Sequence, residues 1–144
     1  MCGGSSSTLT KYNNDSSYGT VDTLTTLEQV DDAAYTSDNA CRMPTKADLE
    51  ELIANTTATW ETLNGVNGKR FTSTNGNSIF VPAASNCSYG SLANVGSLGF
   101  LWSSSLSDSS PMYGWALDFA SDYVGVYDDF DRCRGNTIRP VQNK

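Results

Sequence analysis

The feature that most constrains the fold is a regular two-residue spacing of large apolar side chains near the C-terminus, within residues 101–141. Two short runs place an apolar residue at every second position: Trp115, Leu117 and Phe119, then Val124 and Val126. Side chains alternate between the two faces of a strand, so each run presents one apolar face. Residues 120–122 can turn one strand into the next. The alternation therefore predicts an antiparallel hairpin whose apolar face is buried and whose register is fixed by that burial.

The opposite face of this predicted hairpin has an unusual composition. It receives Ala116, Asp118, Tyr123, Gly125 and Tyr127, and the predicted loop 128–134 continues it. From residue 71 to residue 141 there is no Lys, Glu, Gln or His, so every acid in that span is Asp. Tyrosine supplies contact area at low entropy cost, while Ser, Asp and Gly supply adaptable hydrogen bonding. The pattern predicts a recognition face; the alternative is an ordinary solvated sheet face with a few exposed tyrosines.

Length and charge exclude several classes of function. A chain of 144 residues is expected to form one domain with a sizeable core. Its net charge of −7 argues against partners that are nucleic acids or anionic membrane surfaces. The sequence contains no run of about 18 apolar residues, so no membrane span is predicted. No signal peptide follows Met1, so we expect that any export signal has been removed or never belonged to this chain.

The inventory of reactive side chains predicts no catalysis, no metal and no cofactor. The absence of His removes the usual general base and the commonest metal ligand. The four cysteines, which allow three full pairings, are Cys2, Cys41, Cys87 and Cys133. One alternative is a Ca²⁺ site on Asp128, Asp129 and Asp131, although their spacing matches no EF-hand loop. Another is a reactive Cys133 thiol, activated by the arginines on either side of it.

Local signals elsewhere in the chain predict an α+β fold with helices first. Residues 1–18 are polar and are expected to form a loop or tail. A first helix is expected from Thr25, where Thr25 and Glu28 form a capping-box pattern, and a second from Pro44–Thr45. The other predicted elements are a hairpin of 58–63 and 69–74, a strand at 78–81, a loop at 85–99, and strands at 100–103, 114–119, 123–127 and 137–141. Helices followed by antiparallel strands and long loops are typical of the α+β class.

Several strings resemble the Fibrobacter succinogenes major paralogous domain family, a group of C-type-lectin-like domains in gut Bacteroidetes and their phages. The strings are SSSTLTKYNNDSSYGTVD, LEQVDDAAY, CRMPTKADLEELI, TWETLNGVNGKRFTSTNGNSIFVPAA, GSLGFLWSSSL and NTIRPV. The resemblance runs from about residue 5 to residue 141. It implies a C-type-lectin-like domain at 19–144 behind a polar segment at 1–18. Relatives usually carry a further N-terminal segment that contains the first strand of the fold. We expect this strand to be either absent here or supplied by a partner chain, such as a second copy of this protein.

One branch of this family is similar to the variable proteins of diversity-generating retroelements. There, reverse transcription rewrites adenines, and Asn codons of the AAY type become NNY. NNY never encodes Lys, Glu, Gln, Met or Trp, which fits the depletion after residue 71, so Met112 would be a fixed position. The resemblance implies a hypervariable face at about 103–136. The implied variable, ligand-facing residues are Ser107, Asp108, Tyr113, Asp118, Asp122, Tyr123, Tyr127, Asp128, Asp129, Phe130, Asp131, Cys133, Arg134 and Asn136. The implied scaffold is Trp102, Trp115, Leu117, Phe119, Val124, Val126, Arg139 and Pro140.

The resemblance implies a binding protein that is extracellular, on a cell surface or on a phage virion. Its partner would be a protein or glycan on another surface, recognised without chemistry. One alternative is a structural subunit of a virion or filament. A second is a calcium-dependent carbohydrate-binding lectin, although the Glu-Pro-Asn, Gln-Pro-Asp and Trp-Asn-Asp motifs are absent. A third is an enzyme, by analogy with the formylglycine-generating enzymes, whose active-site cysteine pair has no counterpart that we can assign here.

Overall fold

The computed structural model describes residues 8–22, 24–88 and 90–143. It is mostly antiparallel sheet with few helices, 46% strand and 13% helix, which agrees with an α+β class at this coarse level. The helices are a 3₁₀ turn (Ser16–Tyr18), α1 (Ala33–Ser37) and α2 (Lys46–Ala54). The strands are β1 (Cys41–Arg42), β2 (Thr56–Leu63), β3 (Val66–Ser73), β4 (Ser78–Pro82), β5 (Asn86–Ser88), β6 (Ser91–Ala93), β7 (Gly99–Leu106), β8 (Tyr113–Phe119), β9 (Val124–Asp131), β10 (Gly135–Asn136) and β11 (Val141–Gln142). Within the described ranges, no helix has the length and apolar character needed to cross a membrane.

The strands form four small antiparallel sheets. Two three-stranded sheets have consecutive strands, β2–β3–β4 and β7–β8–β9. The third has the order β10–β5–β6, and the fourth pairs β1 with β11 near the C-terminus. The last two sheets join segments that are far apart in sequence, so they tie the C-terminal part of the chain to residues 86–88 and 41–42.

Two of the predicted elements form where their local signals place them. Helix α2 begins at a capping box in which the Thr45 hydroxyl accepts from the Asp48 amide and the Asp48 carboxylate accepts from the Thr45 amide. Strands β2 and β3 meet at Asn64–Gly65, whose φ angles of 51° and 81° suit a tight hairpin turn. The helix and the hairpin were both predicted from sequence and are confirmed.

The first helix was predicted in the wrong place. The chain around Thr25 is extended, because Thr26 forms an antiparallel bridge to Ser105 and the Leu27 amide donates to the Ser104 carbonyl. Helix α1 instead begins after Asp32, whose buried carboxylate accepts from two amides of the first turn and from the amide of residue 43. Pairing with β7 therefore overrides the local capping signal at Thr25.

Three further predictions need correction. The segment 85–99, predicted as a loop, contains strands β5 and β6, which pair with each other, and β5 also pairs with β10. The segment 128–134, also predicted as a loop, continues β9 as far as Asp131. The strand predicted at 137–141 is reduced to Val141–Gln142, because Pro140 has no amide hydrogen to extend the ladder and Thr137 instead bridges Leu101 in parallel.

Two clusters of buried side chains cover the two faces of the β7–β8–β9 sheet. The first core cluster contains Leu49, Phe71, Val81, Ala83, Leu101, Leu117 and Phe119. The second core cluster contains Ala34, Met43, Phe100, Trp102, Ala116 and Phe130. Leu101 and Trp102 are neighbours on β7, and successive strand residues face opposite ways, so the clusters lie on opposite faces. This double burial makes β7–β8–β9 the rigid centre of the fold.

The described part of the N-terminal polar segment is packed against the domain. Tyr12 and Asn13 are buried, and Leu9 bridges Gly19. The buried Arg132 guanidinium donates to the carbonyls of Lys11 (3.2 Å) and Tyr12 (2.9 Å). The prediction of a loop is right for the described residues of this segment, but the tail alternative is wrong for them.

Candidate ligand-binding face

The hairpin of β8 and β9 places one group of the predicted residues together. Leu117 pairs with Val126 and Phe119 pairs with Val124, so these four face the first core cluster as predicted. Pairing continues on the opposite face, where Asp118 is opposite Gly125 and Ala116 is opposite Tyr127. Five residues of the predicted set lie at this exposed end of the hairpin and are called the hairpin face here: Asp118, Asp122, Tyr123, Tyr127 and Asp129.

The opposite face of the hairpin is not exposed along its whole length. Ala116 is fully buried and Phe130 is 9% exposed, because Phe100, Trp102 and Phe130 pack together over that end of the sheet. A β-bulge between Gly114 and Ala116 shifts the register, so Phe130 faces the same way as Tyr127 although three residues separate them. Ala116 therefore lies on the predicted face, but it is buried there and not exposed. Predicting Phe130 as ligand-facing was wrong, because it is buried too.

The two tyrosines of the hairpin face are the exposed aromatic groups of this region. Tyr123 is 38% exposed and Tyr127 is 46% exposed. The Tyr123 hydroxyl donates to Asp118 Oδ1 at 3.0 Å. Two effects raise the pKa of Tyr123 to about 12: partial burial, which is the larger, and the hydrogen bond to Asp118. Burial also raises the pKa of Asp118, and the nearby charge of Asp129 adds to the increase. The face thus presents a neutral Tyr123 ring beside Asp118.

Gly125 leaves the space that the Tyr127 ring occupies, a role that the sequence prediction missed. A Cβ atom added at Gly125 would lie 2.5 Å from the Tyr127 hydroxyl oxygen and from ring atom Cζ. The ring therefore lies directly over the Gly125 backbone, along the same strand. The sequence places Gly125 on this face, but glycine by itself gives no sign of which side chain covers it.

Lys69 supports the turn between β8 and β9 and was also missed. It is 4% exposed, and its Nζ donates to the carbonyl oxygens of Ala120 and Tyr123, both at 2.7 Å. Burial lowers the pKa of Lys69, and the charge of Asp122 opposes that change. A lysine in a predicted strand is expected to be solvated, so no sequence signal identifies this contact.

A second group of predicted residues lies along the loop between β7 and β8. The Asp128 carboxylate accepts from the hydroxyls of Ser107 (2.8 Å) and Ser109 (3.3 Å), and Ser109 was not predicted. Ser107 is buried, so predicting it as ligand-facing was wrong in this conformation. Asp108 is exposed, and Tyr113 is partly buried at the start of β8. Asp128 therefore orders the loop that carries Asp108.

A third group follows the end of β9. Asp131 and Arg134 form an ion pair at 3.1 Å, with both side chains more than one third exposed. Cys133 is exposed between them, and Asn136 lies on β10, where both polar atoms of its carboxamide are covered. These residues line two cavities, and no residue of the hairpin face lines either of them.

The described residues offer no arrangement for a metal ion or a disulfide. No group of three or more acids or cysteines in the described ranges is placed to hold a metal. The three cysteines of these ranges, Cys41, Cys87 and Cys133, are free thiols. Cys2 and its predicted pairings lie outside the described residues.

Comparisons with protein-family models, with curated proteins and with solved structures give no significant match to this chain. The family, the C-type-lectin-like fold and the hypervariable face therefore stay predictions that rest on the sequence strings quoted above.

Proposed function

We propose that this chain is a ligand-binding protein that performs no chemistry. It is displayed outside a cell or on a virion and recognises a receptor or host surface. Its hairpin face is the centre of the contact, and the surrounding residues of 103–136 form the edge. A retroelement diversifies this region on a constant C-type-lectin-like scaffold.

The observation that carries the proposal is the pair of exposed tyrosines on a rigid hairpin. Tyr123 and Tyr127 are exposed, whereas Leu117 and Phe119 on the same hairpin are fully buried. Binding surfaces gain most of their affinity from a few aromatic anchors placed on rigid elements. Because the Tyr123 hydroxyl is already held by Asp118, little side-chain entropy is lost when a ligand packs against that ring.

The division between buried and exposed positions also supports diversification. Four members of the hairpin face, Asp122, Tyr123, Tyr127 and Asp129, are exposed, so their replacement leaves both core clusters unchanged. Surface substitutions of this kind usually change stability by less than about 0.5 kcal/mol. A face of this kind tolerates many sequences while the strand register stays fixed by the core.

Binding measured with paired variants tests the proposal. Fluorescently labelled protein is applied to an array of glycans and to an array of surface proteins from bacteria that share its habitat. We expect at least one ligand whose binding is lost in a Tyr123→Ala/Tyr127→Ala double variant. Leu63→Ala is the matched control, because Leu63 is also 38% exposed on a strand but lies on a different sheet. Equal binding by the double variant would show that the face is misassigned.

A parallel measurement in EDTA separates this proposal from a calcium-dependent lectin. The proposal predicts that removing calcium leaves binding and folding unchanged. Loss of binding in EDTA, restored by added calcium, would instead favour the lectin. A chain that binds neither array and assembles into long oligomers would favour a structural subunit.

A further inference from the structure

A cavity of about 230 Å³ lies away from the hairpin face, between residues 27–43, β7 and the chain around β10. Apolar side chains form much of its wall, including Leu27, Met43, Trp102 and Ile138. It is larger than the roughly 150 Å³ cavity that admits benzene in an engineered protein, so it has room for a small organic group.

Most polar side chains of this cavity already have partners. Arg132 donates to backbone carbonyls of residues 11, 12 and 111, and the Trp102 indole donates to the Arg134 carbonyl. The Ser104 hydroxyl donates to the Pro44 carbonyl, and Ser105 Oγ accepts from the Lys46 amide. The Arg134 guanidinium is paired with Asp131. Because these charges and hydroxyls are engaged, the cavity favours a neutral ligand.

Asn136 differs from these residues. Both Nδ2 and Oδ1 of its carboxamide are buried and form no hydrogen bond. Burying an amide without a partner costs about 1–3 kcal/mol per polar group, so such groups are rare in folded proteins. Asn136 lines the cavity, and the terminal torsion of asparagine is broad, so its carboxamide can reorient without breaking a hydrogen bond.

We propose that this cavity binds an acetamido group, with the Asn136 carboxamide as its hydrogen-bonding partner. An acetamido group presents one N–H donor beside one C=O acceptor, which matches the adjacent acceptor and donor of the carboxamide. Its methyl group fits the apolar wall near Leu27 and Ile138. Two natural sources carry this group, N-acetylated sugars and acetylated amines of peptides. The inference does not depend on the proposed function of the hairpin face.

Titration followed by ¹H–¹⁵N NMR tests the inference on the whole chain. The probes are N-acetylglucosamine and N-acetyl-lysine methylamide at millimolar concentration, with glucose as a control that lacks the acetamido group. We expect an acetamido probe to shift the Asn136 side-chain amide and the Trp102 indole signals, and glucose to shift neither. The probe that binds more tightly identifies the source. No shift with either acetamido probe would overturn the inference.

Three variants make the test specific. Asn136→Leu should weaken acetamido binding at least about tenfold, the loss expected from two neutral hydrogen bonds. Its melting temperature should not fall, because the carboxamide has no partner to lose. Asn14→Leu makes the same change at an exposed position and should bind like the wild type. Unchanged affinity in Asn136→Leu would overturn the inference.

The third variant, Tyr123→Ala/Tyr127→Ala, separates this site from the hairpin face. Acetamido binding should persist in it even where recognition on the arrays is lost. If acetamido binding disappears in this variant instead, the ligand occupies the hairpin face and the cavity inference is overturned.

Discussion

Replacement of Gly99 by alanine tests how tightly the β7–β8–β9 sheet is packed. Gly99 on β7 is paired with Phe119 on β8, and the Phe119 ring covers it. A Cβ atom at Gly99 would lie 2.0 Å from Phe119 Cζ and 2.5 Å from both Cε atoms. Since ordinary carbon contacts begin near 3.4 Å, the ring would have to move by about 1.4 Å.

The ring of Phe119 has no free space to move into. It is fully buried and meets Phe71 edge to face, with ring centroids 6.4 Å apart. Overpacking a core costs about 1–3 kcal/mol, and a whole-ring displacement is at the upper end of that range. Removing a strand glycine returns roughly 0.5–1 kcal/mol of chain entropy. We therefore expect Gly99→Ala to lower the free energy of unfolding by about 2 kcal/mol.

Gly125→Ala is the matched control, because it is also a strand glycine covered by an aromatic ring. There the ring belongs to Tyr127, which is 46% exposed and can swing into solvent. We expect stability within about 0.5 kcal/mol of wild type but a displaced Tyr127 ring. Urea denaturation measures the free energy of unfolding of both variants, and near-ultraviolet circular dichroism reports the displaced tyrosine. In thermal denaturation the melting temperatures should differ by about 6 °C. Equal stability of the two variants would refute the argument from core packing.

Three other substitutions test contacts that support the domain. Lys69→Met should lower the free energy of unfolding by about 2–3 kcal/mol, because two turn carbonyls lose a charged donor, and an unchanged urea midpoint would contradict this role. The Arg42 guanidinium holds the pKa of Asp48 well below its usual 3.8, so their stabilisation is complete above pH 3.8 and is lost as the pH falls through the folded-state pKa. Asp48→Asn should therefore show a shallower fall of melting temperature below pH 3.8, whereas parallel curves would refute the assignment. Arg132→Met should remove hydrogen-exchange protection from residues 8–22, and retained protection would show that Arg132 does not hold this segment.

Local sequence signals predict those elements whose hydrogen bonds are made locally. The turn at Asn64–Gly65 needs positive φ angles, which these two residues adopt readily, and the capping box of Thr45 and Asp48 is closed within four residues. The apolar alternation of the β8–β9 hairpin likewise fixes which residues face the first core cluster. In each case the sequence pattern and the structural contact lie within one short segment.

The predictions that fail depend on distant partners. Thr25 carries a capping pattern, but its segment pairs with β7, about 80 residues later in the chain. Phe130 is buried because one bulge reverses the expected alternation, and a bulge is set by pairing across the sheet. Lys69 is buried because carbonyls more than 50 residues away accept its hydrogen bonds. The local sequence pattern predicts none of these three contacts.

The most direct test of the central claim is deep sequencing of this gene and its flanking DNA in a growing population of its source. The account predicts substitutions confined to codons 103–136 and concentrated at the exposed positions Asp122, Tyr123, Tyr127 and Asp129. Leu117 and Phe119 should stay constant, and a nearby template copy should carry adenines at the varied codons. A uniform sequence with no template copy would contradict a diversified binding face.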